Sequence, residues 1–585
     1  MLYLCTLIFI MSKSSKKNVK EITQIMAIMN TPLSKHIKNI GLIAILLSAS
    51  FADGTTPAWA GTGSVPSPAE MADPADRHEA ATAGETVLSV SNPDTWTASQ
   101  LGSYVGKTVR LKEDWYVCTS TSSSYKVSPR RIFSPTNQAV PLSAEYKSIV
   151  SLNKSGTVYL NGVSGYHRTG ERLHNAVVKV TSTSALQLVS GEWRGNSRSD
   201  ILKGYDRPTI DKRGTHTLLV CAANLEYYLV KNLGTGYGPD SYAEHQKQRS
   251  KVSKALALIN ADIYGLVEIE QGQDAIAEIA ADLTKLTGRQ FSYVNDGGSA
   301  NGSYTKSGYV YCSQTVVPYA NFRQNQTGVM NRKYMQCFQE KATGERFILS
   351  INHFKAKSGY GSGDNADQGD GQGSFNADRV KEAKSVLSEY NYFRTFVNDE
   401  DILIMGDLNA YGKEDPIRAL ADGGMTDLHR YFHADSSYSY TYKNEAGYLD
   451  HALCNSTLLP QVTGMLGYHI NSDERDSYTY DKDDDGTMFR YSDHDPVLVG
   501  LRLGKASDLQ TEVVMLNQET DGATAEIRNA TGGRLRMYTI QGIPVKDERI
   551  DSQTHPIRTE GLPGGVYVLH IYYNGQVMTR KLLVP

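Results

Sequence analysis

Cysteine is scarce in this chain, with 6 among 585 residues, at Cys5, Cys118, Cys221, Cys312, Cys337 and Cys454. Residues so widely spaced contain no zinc-ligand pattern and no dense disulfide framework. Two readings stay open: a Cys312–Cys337 bridge in an exported protein, or buried free thiols. An excess of either charge is also missing. Lys and Arg number 60 against 63 Asp and Glu, for a formal charge of −3. That balance excludes a protein that holds nucleic acid by bulk positive charge, so a polyanionic substrate would have to be gripped by local groups and metal. Beyond the first fifty residues no apolar run approaches the roughly 20 residues that a membrane helix needs. The mature protein is therefore expected to be released or surface-held, without an integral membrane segment.

What is present is enough chain for two to four folding units, and the composition divides it. Residues 1–60 read as a leader with a signal peptide: Lys35, His36 and Lys38 precede the apolar run 40–47, and small residues offer cleavage after Ala52 or Ala60. The segment before Lys35 makes an unusual leader, so Met26 or Met29 is expected to be the true start. Residues 61–84, rich in Ala, Pro, Ser, Asp and Glu, read as a linker. Residues 85–211 carry short β-rich runs between Gly, Ser, Asn and Pro turns, which predicts a small barrel or sandwich. From 212 to 504 strand-like runs alternate with helical stretches. One such helix covers 246–260, where Val252, Leu256 and Ile259 share a face, and the alternation predicts a mixed α/β layer fold. Residues 505–585 return to an all-β pattern that ends in a strand, an Asn574-Gly575 turn and a second strand, a hairpin signature.

The chemistry gathers in the α/β section. The run 218–223 ends at Asn224-Leu225-Glu226, and the run 261–270 carries Glu268, which should project with Leu266 if the strand persists. The run 347–355 is expected to deliver His353 and Lys355 from one side of a strand. Ile402-Leu403-Ile404-Met405 opens into Gly406-Asp407-Leu408-Asn409, where Asp407 and Asn409 can present oxygens to one water or metal. Leu449-Asp450-His451 and Ser492-Asp493-His494 add a carboxylate each and an imidazole. Singly, these pieces have structural readings as strand ends, turns or a satisfied core histidine. Together they supply what phosphate hydrolysis needs.

In this order the segments resemble the endonuclease/exonuclease/phosphatase superfamily, the DNase I-like proteins. The match runs over about 215–504: Asn224-x-Glu226, Glu268 after Gly-Leu-Val, Asn352-His353-Phe354-Lys355, Gly406-Asp407-x-Asn409, Leu449-Asp450-His451 and Ser492-Asp493-His494. The glycine-rich stretch 368–376 followed by Arg379 is similar to the subgroup of large secreted bacterial nucleases. The resemblance implies a four-layer α/β sandwich with its site at the strand ends, flanked by an OB-like N-terminal β domain (85–211). The tail (505–585) is similar to the C-terminal β-sandwich sorting domain of the type IX secretion system, which implies a secretion machinery as partner.

Carried over residue by residue, the resemblance makes Glu268 the principal metal ligand, with Asn224, Asp493 and Glu226. Oxygen donors imply Mg²⁺, with Mn²⁺ able to substitute. Asp407 would orient or deprotonate the attacking water, and Asn409 would hold the water or phosphate. His494 would stabilise the phosphorane with Asp450 fixing its tautomer, His353 would serve the leaving oxygen, and Lys355 would contact phosphate. Positions 481–486 have the Asp-x-Asp-x-Asp-Gly spacing of a calcium loop, but Ser492 stands where that loop places Glu; a solvated acidic turn competes with a structural Ca²⁺ site. The expectation is a secreted, monomeric, metal-dependent nuclease acting on extracellular DNA, or RNA, with little sequence preference. A phosphomonoesterase or sphingomyelinase-like enzyme of the same fold is the alternative. A surface nucleic-acid-binding or adhesive protein with an inactive catalytic unit is the alternative of another class.

Overall fold

The computed structural model describes residue 78 and residues 84–585, apart from 122–123, 205–209, 211, 297–303, 323–332, 434–435, 480–484, 505–511, 520–521, 529, 531–532, 541, 551, 553, 560, 574–575 and 585. The leader, most of the linker, positions 481–484 of the candidate calcium loop and the Asn574-Gly575 turn fall outside the described residues. Among the described residues no helix is long and apolar enough to cross a membrane.

In the N-terminal section the short strands close into a ring. Arg172–Ser182 pairs with Trp115–Ser120, which is followed by Tyr125–Ser128, Val158–Asn161 and Ala185–Arg194, and the last strand returns to Arg172–Ser182. The single parallel pair of the ring joins Val158–Asn161 to Ala185–Arg194. Alternating side chains fill the interior: Val109, Trp115, Val117, Leu173 and Val178 pack round Trp96, whose ring meets Trp115 edge-on at 5.0 Å. Each fully buried side chain of this kind contributes about 1.5–3 kcal/mol.

The α/β section stacks two six-stranded sheets. One runs Phe291–Tyr293, Thr305–Cys312, Ile263–Glu270, Leu218–Tyr228, Val497–Leu501 and Val462–Gly467. The other runs Val316–Phe322, Lys333–Glu340, Arg346–His353, Ile402–Asp407, Asp450–Cys454 and Thr426–Asp427. Leu218, Val220, Ile263, Leu349, Ile351, Leu403, Met405, Ala452 and Val499 interdigitate between them. Helices Tyr242–Ile259 and Asp274–Thr287 cover the first sheet, and Asn376–Val397 and Asp415–Asp422 cover the second, giving four layers. The helix predicted over 246–260 starts at Tyr242, because Ser241 Oγ accepts the Glu244 N–H as an N-cap, and it ends at Asn260 in the left-handed region (φ 51°).

The tail forms a three-stranded and a four-stranded sheet around Ile527, Leu535, Met537, Ile550 and Leu569. Its last two strands, Gly565–Tyr573 and Gln576–Val584, pair antiparallel as the hairpin signature requires. The five described cysteines are free and buried. The Cys312–Cys337 bridge is not formed, because Cys312 ends a strand of the first sheet while Cys337 lies in the second and faces its helix layer.

Candidate active site

Strand alternation carries the site into place. Leu218, Val220 and Ala222 face the inter-sheet core, and the next residue of that phase is Asn224. Leu349 and Ile351 are followed in phase by His353, and Leu403 and Met405 by Asp407. Ala452 and Cys454 share their face with Asp450, at the start of an antiparallel strand whose beginning meets the same end of the sheet. Four polar side chains thus cap an apolar face at one end, because residues two apart on a strand point the same way.

Glu268 reaches the site by a different route. Its strand continues to Glu270, yet Glu268 does not project with Leu266 into the helix-facing core as simple alternation predicts. Two residues, Val267 and Glu268, oppose the single Ser307 of the neighbouring strand. Glu268 takes φ 59° in this bulge, and the phase flips, so that Ile269 returns to the same core as Leu266. On the adjoining strand the register also shifts between Asn224 and Tyr228, where Glu226 and Tyr227 have φ 49° and 55°. The two irregularities place Glu268 beside the cleft, with Oε2 accepting the Tyr227 N–H at 3.1 Å.

The side chains from both sheets meet closely. His353 Nε2 lies 3.5 Å from Glu268 Oε1 and 3.6 Å from Asp407 Oδ2. Asn224 Nδ2 donates to Asp407 Oδ2 at 3.3 Å, and Asn409 donates to Asp407 from its backbone N–H (2.9 Å) and its amide (3.2 Å). His494 Nδ1 donates to Asp450 Oδ2 at 2.7 Å, leaving Nε2 3.9 Å from both Asp407 Oδ2 and Asp493 Oδ1. Asp450 is fixed in turn by the Ser439 hydroxyl, 2.7 Å from Oδ2. Tyr440 stacks on the His494 ring at 4.7 Å.

Electrostatics separate these groups by role. Burial opposes charge on His494, but Asp450, Asp493 and Asp407 outweigh it and hold the imidazole well above its ordinary range. Burial pushes Asp407 up to about 7, with His494 acting in the opposite direction. Glu226 is pushed up to about 8 by burial and by Asp493, with Glu268 adding to the effect and Arg490 opposing it. Glu226 Oε2 is buried without a hydrogen-bond partner among the described residues. Glu226 feels the charges of Asp493 and Glu268, and carboxylate and amide oxygens are the donors that a hard divalent cation takes. Asn224, Glu226, Glu268 and Asp493 could hold one. Asp407, Asp450 and His494 also stand close enough together for a metal, but Asp450 is committed to His494 and Ser439. His78, Asp114 and His174 form another such group in the N-terminal section, where Arg172 already donates to Asp114 at 3.1 Å.

Residues 232–494 match the model of the endonuclease/exonuclease/phosphatase family. Over those residues the chain is similar to this family. Proteins of the family hydrolyse phosphodiesters and phosphate esters, generally with divalent metals. None of the curated proteins matches the chain. Among solved structures it is similar to an endonuclease/exonuclease/phosphatase from Bacteroides vulgatus (14% identity, 49% of this chain and 98% of that one, TM-score 0.34). It is also similar to the human Nocturnin catalytic domain with bound sulfate (14%, 48% and 93%, 0.33) and to a mannosyl-6-phosphatase from Bacteroides thetaiotaomicron (15%, 49% and 100%, 0.33).

The cleft of the α/β section measures about 1000 Å³ and reaches Glu268, His353, Asp407, Asn409 and His494. The glycine-rich stretch lines it through Gly369, Gly371 and Gly373. Arg379 anchors that stretch, donating to the carbonyls of Gln372 (2.6 Å) and Ser374 (2.8 Å). Lys355 departs from expectation. Its strand ends at His353, the Lys355 N–H turns to Glu382 (2.8 Å), and the ammonium lies over the Phe375 ring at 4.4 Å, outside the cleft lining. Lys357, two residues on, lines the cleft. Sequence reasoning missed Ser439, Tyr440 and the N-terminal residues that form one wall. The alternation of Tyr440 and Tyr442 before Leu449-Asp450 was the available signal for the aromatic pair; the N-terminal residues gave none.

Proposed function

We propose that this protein is an exported, divalent-metal-dependent phosphodiesterase that cleaves DNA, and RNA as the alternative polymer, with little sequence preference. The observation that carries the reading is the buried Asp407–His494–Asp450 group, with His353 Nε2 3.5 Å from Glu268 and 3.6 Å from Asp407. Burial and the charges of Asp493 and Glu268 make an ionised Glu226 costly, a cost that a bound Mg²⁺ or Mn²⁺ would offset. When bound, such an ion neutralises charge on the phosphoryl and leaving oxygens.

This chain's own residues supply the rest. Asp407, with a basicity near neutral and steadied by Asn224 and Asn409, takes the proton of the attacking water. Charged His494, held in place by the Nδ1 bond to Asp450, donates from Nε2 to a non-bridging oxygen as negative charge grows there. His353 stands beside Glu268 and Asp407 to serve the leaving oxygen. Water oxygen bonds to phosphorus, the bridging P–O bond breaks, and the departing oxygen takes up a proton. We further propose export through the leader and the sorting-type tail, and an OB-like role for the closed five-stranded N-terminal ring.

The deciding experiment offers closed circular plasmid, single-stranded DNA, RNA, a phosphomonoester and sphingomyelin, each with Mg²⁺ and with chelator. Opening of the circle in Mg²⁺ alone is expected. Release of choline phosphate only, or of inorganic phosphate from the monoester only, would overturn the nuclease reading.

A further inference from the structure

The catalytic cleft is not built by one domain. Lys126, from the strand Tyr125–Ser128, and Tyr146 and Lys154, from the helix Ala144–Lys154, line it together with Glu268, His353, Asp407 and His494. A third ammonium, Lys443, projects from the turn between Tyr440–Tyr442 and Glu445–Gly447. The fourth cleft lysine, Lys357, is neutralised by Glu414 at 2.5 Å. Among the described residues the other three have no carboxylate partner. Lys126 lies over the Tyr159 ring at 5.0 Å and Lys443 over Tyr442 at 5.1 Å, contacts that leave the positive charge uncompensated. Beside them the Tyr440 and Tyr442 rings lie nearly parallel, 6.4 Å apart. Uncompensated ammonium groups and aromatic faces along one groove are what a nucleic-acid strand requires, phosphates meeting the cations and bases the rings.

These lysines also stand at fixed positions relative to the catalytic groups. The hairpin that stacks Tyr440 on His494 is tied to the N-terminal section by Ala446 N–H to Ile132 O (2.9 Å), Ser134 N–H to Ala446 O (2.8 Å) and Asn153 Nδ2 to Glu445 Oε1 (2.9 Å). The hydroxyl of Thr119 bonds Asn444 at its tip.

We propose that the N-terminal β section is the second wall of the substrate site. In this reading Lys126 and Lys154 hold phosphates other than the scissile one, so that the substrate is a strand of linked phosphodiesters. A phosphomonoester offers them nothing, and a zwitterionic lipid headgroup brings its own cation. The proposal rests on the hydrolase reading above and extends it to substrate choice.

The test compares the full chain with the Lys126→Ala/Lys154→Ala variant on a single-stranded oligodeoxynucleotide and on bis(p-nitrophenyl) phosphate, in Mg²⁺ over a range of NaCl. The preference for the oligonucleotide, as a ratio of kcat/KM values, should fall about tenfold, and the slope of log KM against log salt should become shallower by about 1.4, since each single-strand phosphate contact contributes about 0.7. Replacing both lysines by Arg should restore the slope. An unchanged ratio and slope in the alanine variant would overturn the proposal and leave the hydrolase reading standing. A wild-type protein that hydrolyses neither compound would overturn both.

Discussion

His494 and Asp407 illustrate how burial assigns roles to side chains that are otherwise interchangeable. Both are enclosed, but the imidazole has three carboxylates near it and keeps its proton, whereas Asp407 is raised toward neutrality and can accept one. Asp450 controls the first of these through the 2.7 Å bond to Nδ1. Asp450→Asn should lower kcat on bis(p-nitrophenyl) phosphate by about 10²–10⁴-fold through loss of the charge that keeps His494 protonated and oriented, with little change in melting temperature; retention of more than a tenth of kcat would show that Asp450 does not serve His494 in this way. These groups were legible in the sequence because phosphate chemistry needs carboxylates and imidazoles, and they stand where apolar runs stop. Ser439 was not, since a hydroxyl is common everywhere and only the fold brings it to Asp450, and Tyr440 left no trace beyond its alternation with Tyr442. Lys355 looked suitable by type but was misplaced, because the strand that should carry it stops two residues early.

Among the elements, the strand ending at Gly406-Asp407 tolerates little change at its glycine. Gly406 has φ 115°, and a Cβ there would meet Asn352 O at 2.1 Å, in the strand that carries His353. Gly406→Ala should therefore cost about 2–4 kcal/mol, in the upper range of single substitutions, and reduce activity without deleting a catalytic group; denaturant unfolding and kinetics on the same preparation check this. The helix Leu428–His433 and the strand Asp450–Cys454 carry a second sensitivity. His451 is buried, donates to Ala410 O at 2.7 Å and is lowered to about 4 by burial, and His429 beside it is lowered well below its ordinary value. As pH falls below 6.5 the unfolded chain takes up a proton that folded His451 refuses until about pH 4, so stability is full above 6.5 and about 3 kcal/mol is lost across this window. Melting temperature against pH should flatten in His451→Gln, and equal pH dependence in wild type and variant would contradict this. Alternation in the sequence revealed these strands and the α/β layering. It could not reveal the bulge at Glu268, since Leu266, Val267 and Ile269 are all apolar and the flip of phase leaves no trace in their pattern.

For the molecule as a whole, the N-terminal and catalytic sections share charged groups that neither could bury alone. Asp473 receives Arg131 (2.5 Å), Asn196 (2.8 Å) and Tyr438 (2.7 Å), while Glu474 meets Arg168 (2.5 Å), Arg198 (2.7 Å) and Tyr166 (2.7 Å). The loop bearing these acids also steadies the catalytic one: Asn471 Nδ2 donates to His494 O at 2.6 Å, and the Asn471 and Ser472 N–H groups donate to Asp495. Arg131→Ala should destabilise both sections together by about 3 kcal/mol, because it leaves a buried carboxylate short of its cation; calorimetry that showed only the N-terminal section melting early would contradict the shared network. The division of the chain was readable from composition, but this joining was not, because its partners lie some 300 positions apart in sequence. Hydrolysis of phosphodiesters at the site built from Glu268, His353, Asp407 and His494 is measured with supercoiled plasmid and the pair wild type and Glu268→Ala, matched for melting temperature. Wild type should open the circle in Mg²⁺ and not in chelator, and Glu268→Ala should be slower by about 10³-fold. Equal cleavage by the two proteins, or cleavage that persists in chelator, would contradict it.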